Sequence, residues 1–254
     1  MISQSEKAQT LKALHESDET FVIPNPWDAG SACLLEKAGF KALATTSAGF
    51  AQSLGRVDGQ VLLDEKVEHC RLLSSVTDVP ISADFENGFA DTPGEAAENL
   101  VKVAEAGVVG GSIEDYSGSE IYEFDLAVER IAACAEAVAQ LPFPFALTAR
   151  AEGLLRRSGD LDDIIKRLQA FEAAGADVLY APGLSDLEQV KTVMDSVSRP
   201  VNVLAPFMPD VSLAQYAELG VRRVSVGSIL AIHAANATLA AAKQMTGEGR
   251  FDWM

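Results

Sequence analysis

The sequence has 254 residues, of which 48% are hydrophobic and 22% are charged. It contains 20 Lys and Arg residues against 37 Asp and Glu residues, which gives a formal net charge of −17. Phosphate backbones and anionic membrane surfaces repel a chain this acidic, so the composition argues against nucleic-acid and membrane partners.

Cysteine usage and the absence of long apolar runs both point to one cellular compartment. Cys33, Cys70 and Cys134 stand far apart and form no C-x-x-C pair, which is typical of a reducing cytosol. The N-terminal segment lacks the apolar run of a signal peptide, and no stretch approaches the ~20 apolar residues of a membrane helix. We therefore expect a cytoplasmic protein.

Short apolar runs alternate with longer helical stretches along almost the whole chain. A helix over residues 3–16 comes first, and strands follow over 21–25, 41–46, 80–85, 108–115, 144–150, 176–181, 199–205 and 222–227. Helices are predicted between them over 28–38, 62–76, 92–107, 123–140, 160–174, 186–197 and 211–219. A last helix is predicted to run to about residue 243.

Eight consecutive βα units, with no domain inserted between them, favour a (β/α)8 barrel preceded by an extra N-terminal helix. The predicted strands read as continuously apolar, as strands do when both faces of a parallel sheet are covered. No G-x-G-x-x-G follows the first strand, which weakens a dinucleotide-binding interpretation. We expect a single domain over residues 1–254.

The carboxyl ends of barrel strands carry the active site, and three carboxylates fall there. Asp84 and Glu86 follow the third strand, and Glu114 follows the fourth. Their i, i+2 spacing predicts that Asp84 and Glu86 lie on the same side of an extended segment. Crowded carboxylates share protons or hold a cation, and an all-oxygen ligand set suits Mg²⁺. The alternative is that they cap helices or face solvent, which we prefer for Asp115.

Arg150 ends the fifth strand, where a guanidinium is suited to bidentate capture of a substrate carboxylate. The alternative is an internal ion pair with a neighbouring acid such as Glu152. Small residues follow the second strand and would let backbone N–H groups approach an anion: Ser47, Ala48 and Gly49. Asn202, on the seventh strand, is a further candidate for binding substrate.

Four segments resemble a known superfamily, that of isocitrate lyase and phosphoenolpyruvate mutase: NPWDAGSACLLEKAGFKALATTSAGFAQSLGRVDG, ISADFENGFAD, GSIEDY and LTARAEGLL. The resemblance runs from about Phe21 to His233 and implies a barrel that binds Mg²⁺, with Mn²⁺ as an alternative, and a small 2-oxo acid. It implies that Asp84 is the main metal ligand and that Glu86 and Glu114 hold metal-bound waters. It further implies that Asp58 belongs to the metal site, that the chain forms a homo-oligomer, and that the substrate is bound by Ser47, Ala48, Gly49 and Arg150.

The segment after the fourth strand departs from the superfamily pattern. Its lyases carry a mobile loop with the pattern K-[KR]-C-G-H, in which the cysteine acts as acid and base. The corresponding segment, IEDYSGSEIYEFD, has no Cys, Lys or His. Cleavage of isocitrate or methylisocitrate and the mutase reaction are therefore not expected, and Tyr116 is the candidate proton donor.

Three functions stay open at this level. The first is a Mg²⁺-dependent lyase that cleaves a C–C bond of a small 2-oxo acid through an enolate, as in oxaloacetate decarboxylation. The second is a phosphonopyruvate hydrolase or phosphonomutase-like enzyme that acts on a P–C bond. The third is a non-catalytic protein that binds 2-oxo acids.

Overall fold

A computed structural model describes residues 2–252 and shows a single eight-stranded parallel sheet. The strands are β1 (Phe21–Ile23), β2 (Leu43–Ala44), β3 (Ile81–Asp84), β4 (Gly110–Glu114), β5 (Ala146–Arg150), β6 (Val178–Tyr180), β7 (Val201–Leu204) and β8 (Arg223–Ser225). Their order is β1-β8-β7-β6-β5-β4-β3-β2. The N–H of Ala44 donates to the carbonyl of Pro24 at 3.0 Å, so β2 returns to β1 and nearly closes the barrel. The prediction of a (β/α)8 barrel is confirmed.

Helices lie between the strands and on the outside of the sheet. They are α1 (Gln4–Glu16), α2 (Ala29–Lys37), α3 (Ser47–Ser53), α4 (Leu63–Val76), α5 (Pro93–Glu105), α6 (Phe124–Val138), α7 (Gly153–Arg156), α8 (Leu161–Ala173), α9 (Leu187–Ser196), α10 (Leu213–Glu218) and α11 (Ile229–Glu248). A 3-10 turn spans Ala205–Phe207. Among residues 2–252, no helix combines the length and the apolar character needed to cross a bilayer.

Side-chain caps explain where the predicted helices begin. The Ser3 hydroxyl accepts the N–H of Glu6, whose carboxylate accepts the N–H of Ser3 in return. Thr92 accepts the N–H of Glu95 before Pro93 opens the next helix. These contacts satisfy N–H groups that have no partner inside the helix. The helices predicted to start at residues 3, 28, 62, 92, 123, 160, 186 and 211 each begin within about two residues of the predicted start.

The extra helix α1 closes the N-terminal end of the barrel. Ala8 and Leu11 are buried there against Ile23, Ala42 and Val109. Because this end is sealed by apolar contacts, the barrel opens at the carboxyl ends of its strands.

The inside of the barrel is polar, and this contradicts the expectation of continuously apolar strands. Ile81 belongs to the hydrophobic core, whereas the next residue, the polar Ser82, lines the cavity inside the barrel. Ser112 and Asn202 line the same interior space. Polar and apolar side chains alternate along the strands because the inner face of the sheet surrounds a cavity instead of a packed core.

Two helices were missed by the sequence patterns because each is short. α3 begins at Ser47, where only a loop was expected, and α7 comprises four residues. Four and seven residues give too few apolar repeats to show a helical period. The observed strands are also shorter than the apolar runs from which they were predicted, because the ends of those runs lie in loops.

Candidate active site

A cavity of about 180 Å³ opens among the carboxyl ends of the strands. Asp84, Arg150 and Tyr180, the last residues of β3, β5 and β6, contribute to its wall. (β/α)8 enzymes place their active sites at this end of the barrel. A larger cavity of about 640 Å³ lies at the opposite end, between α1 and the segment before β5, and none of the predicted site residues lines it.

Asp84 is held by two donors from different parts of the barrel. Its Oδ2 accepts the N–H of Ser47 at 2.8 Å, and its Oδ1 accepts Nη1 of Arg150 at 2.7 Å. Burial alone would raise the pKa of this carboxyl group, but the charges of Arg150 and Lys66 and the bonds from Ser47 bring it below its usual value. Asp84 is therefore an anion at neutral pH.

Arg150 lies between three carboxylates. Besides Asp84, its Nη2 is 3.3 Å from Glu114 Oε2 and 2.8 Å from Glu152 Oε1. Burial opposes the charge of the guanidinium, but Glu152, Glu114 and Asp84 together hold its pKa well above the usual value. Sequence analysis gave an ion pair between Arg150 and Glu152 as the alternative to substrate binding. Arg150 forms that ion pair and also contacts the candidate metal ligands Asp84 and Glu114. Glu152 is fully buried and fixes the direction of the guanidinium.

Glu86 does not continue the extended segment as predicted. Its φ of 48° is left-handed, so the alternation of side chains that holds in a strand ends after Asp84. Burial first, and then the charge of Asp84, raise the pKa of Glu86 to about 7. Asp58, exposed in the loop before α4, adds a smaller effect in the same direction. The Glu86 Oε1 is buried and has no hydrogen-bond partner among residues 2–252.

Glu114 is buried beside Arg150 in the adjacent strand, with the two residues paired in register. Burial raises the pKa of its carboxyl group well above the usual value, although the charge of Arg150 opposes that effect. Its N–H donates to the carbonyl of Glu86 at 2.9 Å. Carboxyl groups therefore outnumber basic side chains at this rim, and burial favours the protonated form of Glu114.

The candidate site does not form a complete set of direct ligands for a metal ion. Across the described part of the chain, no three Asp, Glu, His or Cys side chains are close enough together to hold a metal ion. Arg150 occupies one oxygen each of Asp84 and Glu114, and this keeps the carboxylates apart. The unpartnered oxygen and raised pKa of Glu86 nevertheless fit a site for a hydrated cation. Mg²⁺ retains several waters, so carboxylates that do not touch it directly can still hold it.

Ser47, Ala48 and Gly49 form the first turn of α3, whose N-cap is Thr46. Ser47 and Ala48 line the cavity. A Cβ on Gly49 would lie 2.6 Å from Thr46 Cγ2 and 3.1 Å from Trp27 Cβ. Glycine is needed here because α3 packs tightly against the turn before it, which places the cavity-lining backbone close to Asp84.

Asn202 lines the cavity, but both ends of its amide already have partners. Its Nδ2 donates to Ser225 Oγ at 2.9 Å, and its Oδ1 accepts Nε of Arg223 at 2.8 Å. In the described contacts, Asn202 orients Arg223. Its role in binding substrate stays a prediction.

Tyr116 lies apart from the cavity that holds Asp84. Its hydroxyl donates to the carbonyl of Gly118 at 2.9 Å, and its ring stacks 3.9 Å from the guanidinium carbon of Arg156. It lines a separate space of about 470 Å³. A proton-donor role for Tyr116 would require its loop to rearrange.

Lys66 is a site residue that was not predicted, because it does not lie at the end of a strand. It comes from α4, is fully buried, and donates from Nζ to Thr45 Oγ1 at 2.9 Å. The same oxygen accepts the N–H of Asp84 at 2.8 Å. The buried face of α4 has i, i+3, i+4, i+7 spacing, and a lysine on that face was the available signal: Lys66, His69, Cys70, Leu73.

Tyr180 and Arg223 were also missed. The sixth strand was predicted to end at residue 181, but β6 ends at Tyr180. Arg223 is the first residue of β8, and its side chain lies inside the barrel. From sequence, an arginine directly before an apolar run is expected at the surface. Both side chains line the cavity.

Sequence comparison assigns the family. Residues 11–246 match the phosphoenolpyruvate phosphomutase family. The chain belongs to this family. The superfamily resemblance is thereby confirmed.

Two solved structures have this fold. A crystal structure from Burkholderia cenocepacia J2315, provisionally described as a lyase/mutase, is 50% identical, has a TM-score of 0.94, and covers 98% of this chain and 91% of its own. A phosphonopyruvate hydrolase crystallised with oxalate and Mg²⁺ is 22% identical, with a TM-score of 0.88, covering 97% of this chain and 89% of its own. At that identity the second likeness shows the fold alone.

Several curated relatives have a named C–C bond reaction. The 2-methylisocitrate lyase of Escherichia coli K12 is 29% identical over 204 residues, which are 76% of this chain and 68% of the relative. The oxaloacetate decarboxylase of Paraburkholderia xenovorans LB400 is 28% identical over 240 residues, which are 90% of this phosphomutase-family chain and 77% of the relative. Lyase chemistry is thus represented among the relatives.

Proposed function

We propose that this protein is a Mg²⁺-dependent carbon–carbon lyase for a small 2-oxo acid, with oxaloacetate decarboxylation as its expected reaction. The observation that carries the proposal is that Asp84 and Arg150 line one small cavity, with Glu114 in contact with Arg150 and with Glu86 close enough for the charges of Asp84 and Arg150 to shift its pKa. A guanidinium there can bind a carboxylate, and the surplus of carboxylates calls for a cation.

The residues around the cavity suit a small acid. The planar fork of Arg150 can bind a carboxylate in two parallel hydrogen bonds, and a substrate carboxylate would replace Asp84 or Glu114 as its partner while Glu152 stays in contact. The N-terminal turn of α3 brings Ser47 and Ala48 to the same wall. A volume of about 180 Å³ is below the ~300–1,000 Å³ of pockets for drug-sized ligands, which favours a compact substrate.

The metal would be held by Asp84 directly and by Glu86, Glu114 and Asp58 through water. Bound there, Mg²⁺ supplies Lewis-acid stabilisation of negative charge on the 2-oxo oxygen. Arg150 holds the carboxylate, and Glu152 fixes Arg150 in position. Stabilisation of the developing enolate charge is the largest contribution we expect.

Decarboxylation also agrees with the short segment after β4. Loss of CO₂ requires no acid to break the C–C bond, only stabilisation of the electron pair left behind. The described segment 116–122 has no Cys, Lys or His to supply such an acid. The oxaloacetate decarboxylase relative supports the same reaction class.

Pyruvate release from oxaloacetate tests the proposal. Free Mg²⁺ promotes this reaction by itself, so the control contains metal at equal concentration without protein. Asp84→Asn keeps the shape of the side chain but removes its charge, and we expect kcat/KM to fall by about 10²-fold or more. Asp195→Asn, at an exposed pair on α9, is the matched control and should leave kcat/KM unchanged.

Other outcomes would redirect the proposal. Full activity of Asp84→Asn, or of the wild type in excess chelator, would remove the metal from the reaction. Phosphate release from phosphonopyruvate without pyruvate from oxaloacetate would support a P–C bond hydrolase. Saturable binding of oxaloacetate without turnover would support a binding protein.

A further inference from the structure

Tyr180 is a cavity residue with no role in the scheme above. In register, it pairs with Arg150 on one side and with Asn202 on the other. Its ring centroid is 5.1 Å from the guanidinium carbon of Arg150. The side chain is buried, its hydroxyl is hydrogen-bonded to Ser225 of β8, and it lines the same 180 Å³ cavity as Arg150.

The residues that line the cavity otherwise include few groups able to donate a proton, because Glu86 and Glu114 are not part of its lining. Within residues 2–252, its lining includes no His, Cys or Lys. Asp84 is ionised and engaged with Arg150, and the remaining hydroxyls belong to Ser and Thr, which are weaker acids than a phenol. Burial raises the pKa of Tyr180 to about 12, so the phenol carries its proton at neutral pH.

Arg223 supplies a positive charge that no carboxylate neutralises. Its guanidinium contacts three neutral groups: Asn202 Oδ1 at 2.8 Å, Thr148 Oγ1 at 3.1 Å and His15 Nε2 at 3.4 Å. Among the described residues it forms no ion pair. A buried cation with only neutral partners is costly unless an anion forms beside it.

A phenolate at Tyr180 would be that anion. Arg150 and Arg223 line the same cavity as Tyr180, one at the mouth and one deeper in the barrel. Burial lowers the pKa of Arg223 to about 10, and negative charge on the Tyr180 oxygen acts in the opposite direction. The charged form of Arg223 and the ionised form of Tyr180 therefore stabilise each other.

We propose that Tyr180 is a catalytic acid that protonates the enolate carbon, with Arg223 as a positioning residue that stabilises the resulting phenolate. The proposal rests on the lyase function proposed above. In oxaloacetate, the C3–C4 bond breaks, CO₂ leaves, and the electron pair stays on the three-carbon fragment as an enolate. The O–H bond of Tyr180 then breaks while a C–H bond forms at C3, giving pyruvate. Solvent returns one proton to the phenolate, so one proton is consumed for each CO₂ released.

Exchange of the pyruvate methyl hydrogens in D₂O, followed by ¹H NMR with Mg²⁺ present, measures this proton transfer separately from bond cleavage. We expect the wild type to catalyse exchange and Tyr180→Phe to lose it by about 10²-fold or more. CO₂ release from oxaloacetate should persist in Tyr180→Phe, because cleavage precedes protonation. Tyr216→Phe is the matched control, since it removes a buried hydroxyl of α10 that has no partner in the described chain.

A second variant tests Arg223. Arg223→Met should slow exchange, and the Tyr180→Phe/Arg223→Met double variant should be no slower than Tyr180→Phe, because both residues act on one proton. Additive losses would give Arg223 a separate role and overturn its part of the proposal.

The experiment separates the two proposals. Exchange that depends on Tyr180, without oxaloacetate decarboxylation, would overturn the lyase proposal and leave the acid in place. Decarboxylation without exchange, or exchange in Tyr180→Phe at the wild-type rate, would overturn the acid. Loss of exchange in Tyr116→Phe alone would assign the proton to the loop instead.

Discussion

A single guanidinium organises the candidate site at the level of residues. Arg150 touches Asp84, Glu114 and Glu152, and the last of these is fully buried behind it. Lysine could provide the charge but could not bridge three carboxylates from one planar group. The geometry therefore depends on arginine itself, as well as on a positive charge at that position.

Arg150→Lys should accordingly impair oxaloacetate turnover by at least about tenfold in kcat/KM, because truncating a buried charge pair costs roughly 2–5 kcal/mol. Steady-state kinetics with Mg²⁺ at saturation would measure the effect. Arg71→Lys, at an exposed pair on α4, is the control with the same substitution. Unchanged kinetics in Arg150→Lys would show that the residue serves only as a structural ion pair.

The sequence predicts one part of the site and misses another for a geometric reason. Asp84, Glu114 and Arg150 are the last residues of three strands, and the barrel brings such residues together whatever their neighbours. Lys66 reaches the site from a helix, and Arg223 reaches it from the start of a strand. Both residues belong to the site because of the direction in which their side chains extend inside the barrel. Local sequence patterns do not indicate that direction.

Hydrogen bonds hold the segment after β4 at both of its ends. The N–H of Tyr122 donates to the carbonyl of Asp115 at 2.8 Å, and Ser117 pairs with Glu120 across the turn. The Asp115 carboxylate accepts the N–H of Glu152 at 2.7 Å and lies 3.2 Å from Arg167. Asp115 was expected to cap a helix or face solvent, but it is buried between these partners.

Such a tied hairpin should exclude substrates that need a closing loop with its own acid. We expect pyruvate from oxaloacetate but no efficient glyoxylate release from isocitrate, measured side by side with equal Mg²⁺. The reason is that segment 116–122 offers no Cys, Lys or His to a bulky tricarboxylate. Robust glyoxylate formation would contradict this view, because proton transfer would then proceed without the superfamily's cysteine.

At the scale of the whole molecule, helix α1 covers the N-terminal end of the barrel and also contacts a polar residue inside it. His15 of α1 is buried, its Nδ1 lies 2.9 Å from the carbonyl of Leu11, and its Nε2 faces Arg223 at 3.4 Å. Nδ1 must donate to that carbonyl, so Nε2 accepts from the guanidinium and the ring is neutral. Burial, together with the charge of Arg223, lowers the pKa of His15 to about 3.

This neutral histidine makes the stability of the barrel depend on pH with a definite sign. Between pH ~6.5 and the folded pKa of about 3, the unfolded chain binds a proton at His15 that the folded chain does not. The free energy of unfolding therefore falls as the pH falls through this window, by up to about 1.4 kcal/mol per pH unit from this group. Buried carboxyl groups with raised pKa values act in the opposite direction, so the contribution of His15 must be measured as a difference between variants.

His15→Gln keeps a side chain able to donate to Leu11 but removes the titration. We expect the variant to be less stable than the wild type at neutral pH and the gap to shrink by about 2 kcal/mol between pH ~7 and pH ~5. Urea unfolding at both pH values measures the gap. His233→Gln, at an exposed position on α11, is the matched control and should give the same gap at both. A gap for His15→Gln that does not change with pH would mean that His15 takes up a proton in the folded barrel as readily as in the unfolded chain, and the lowered pKa of His15 beside Arg223 would then be wrong.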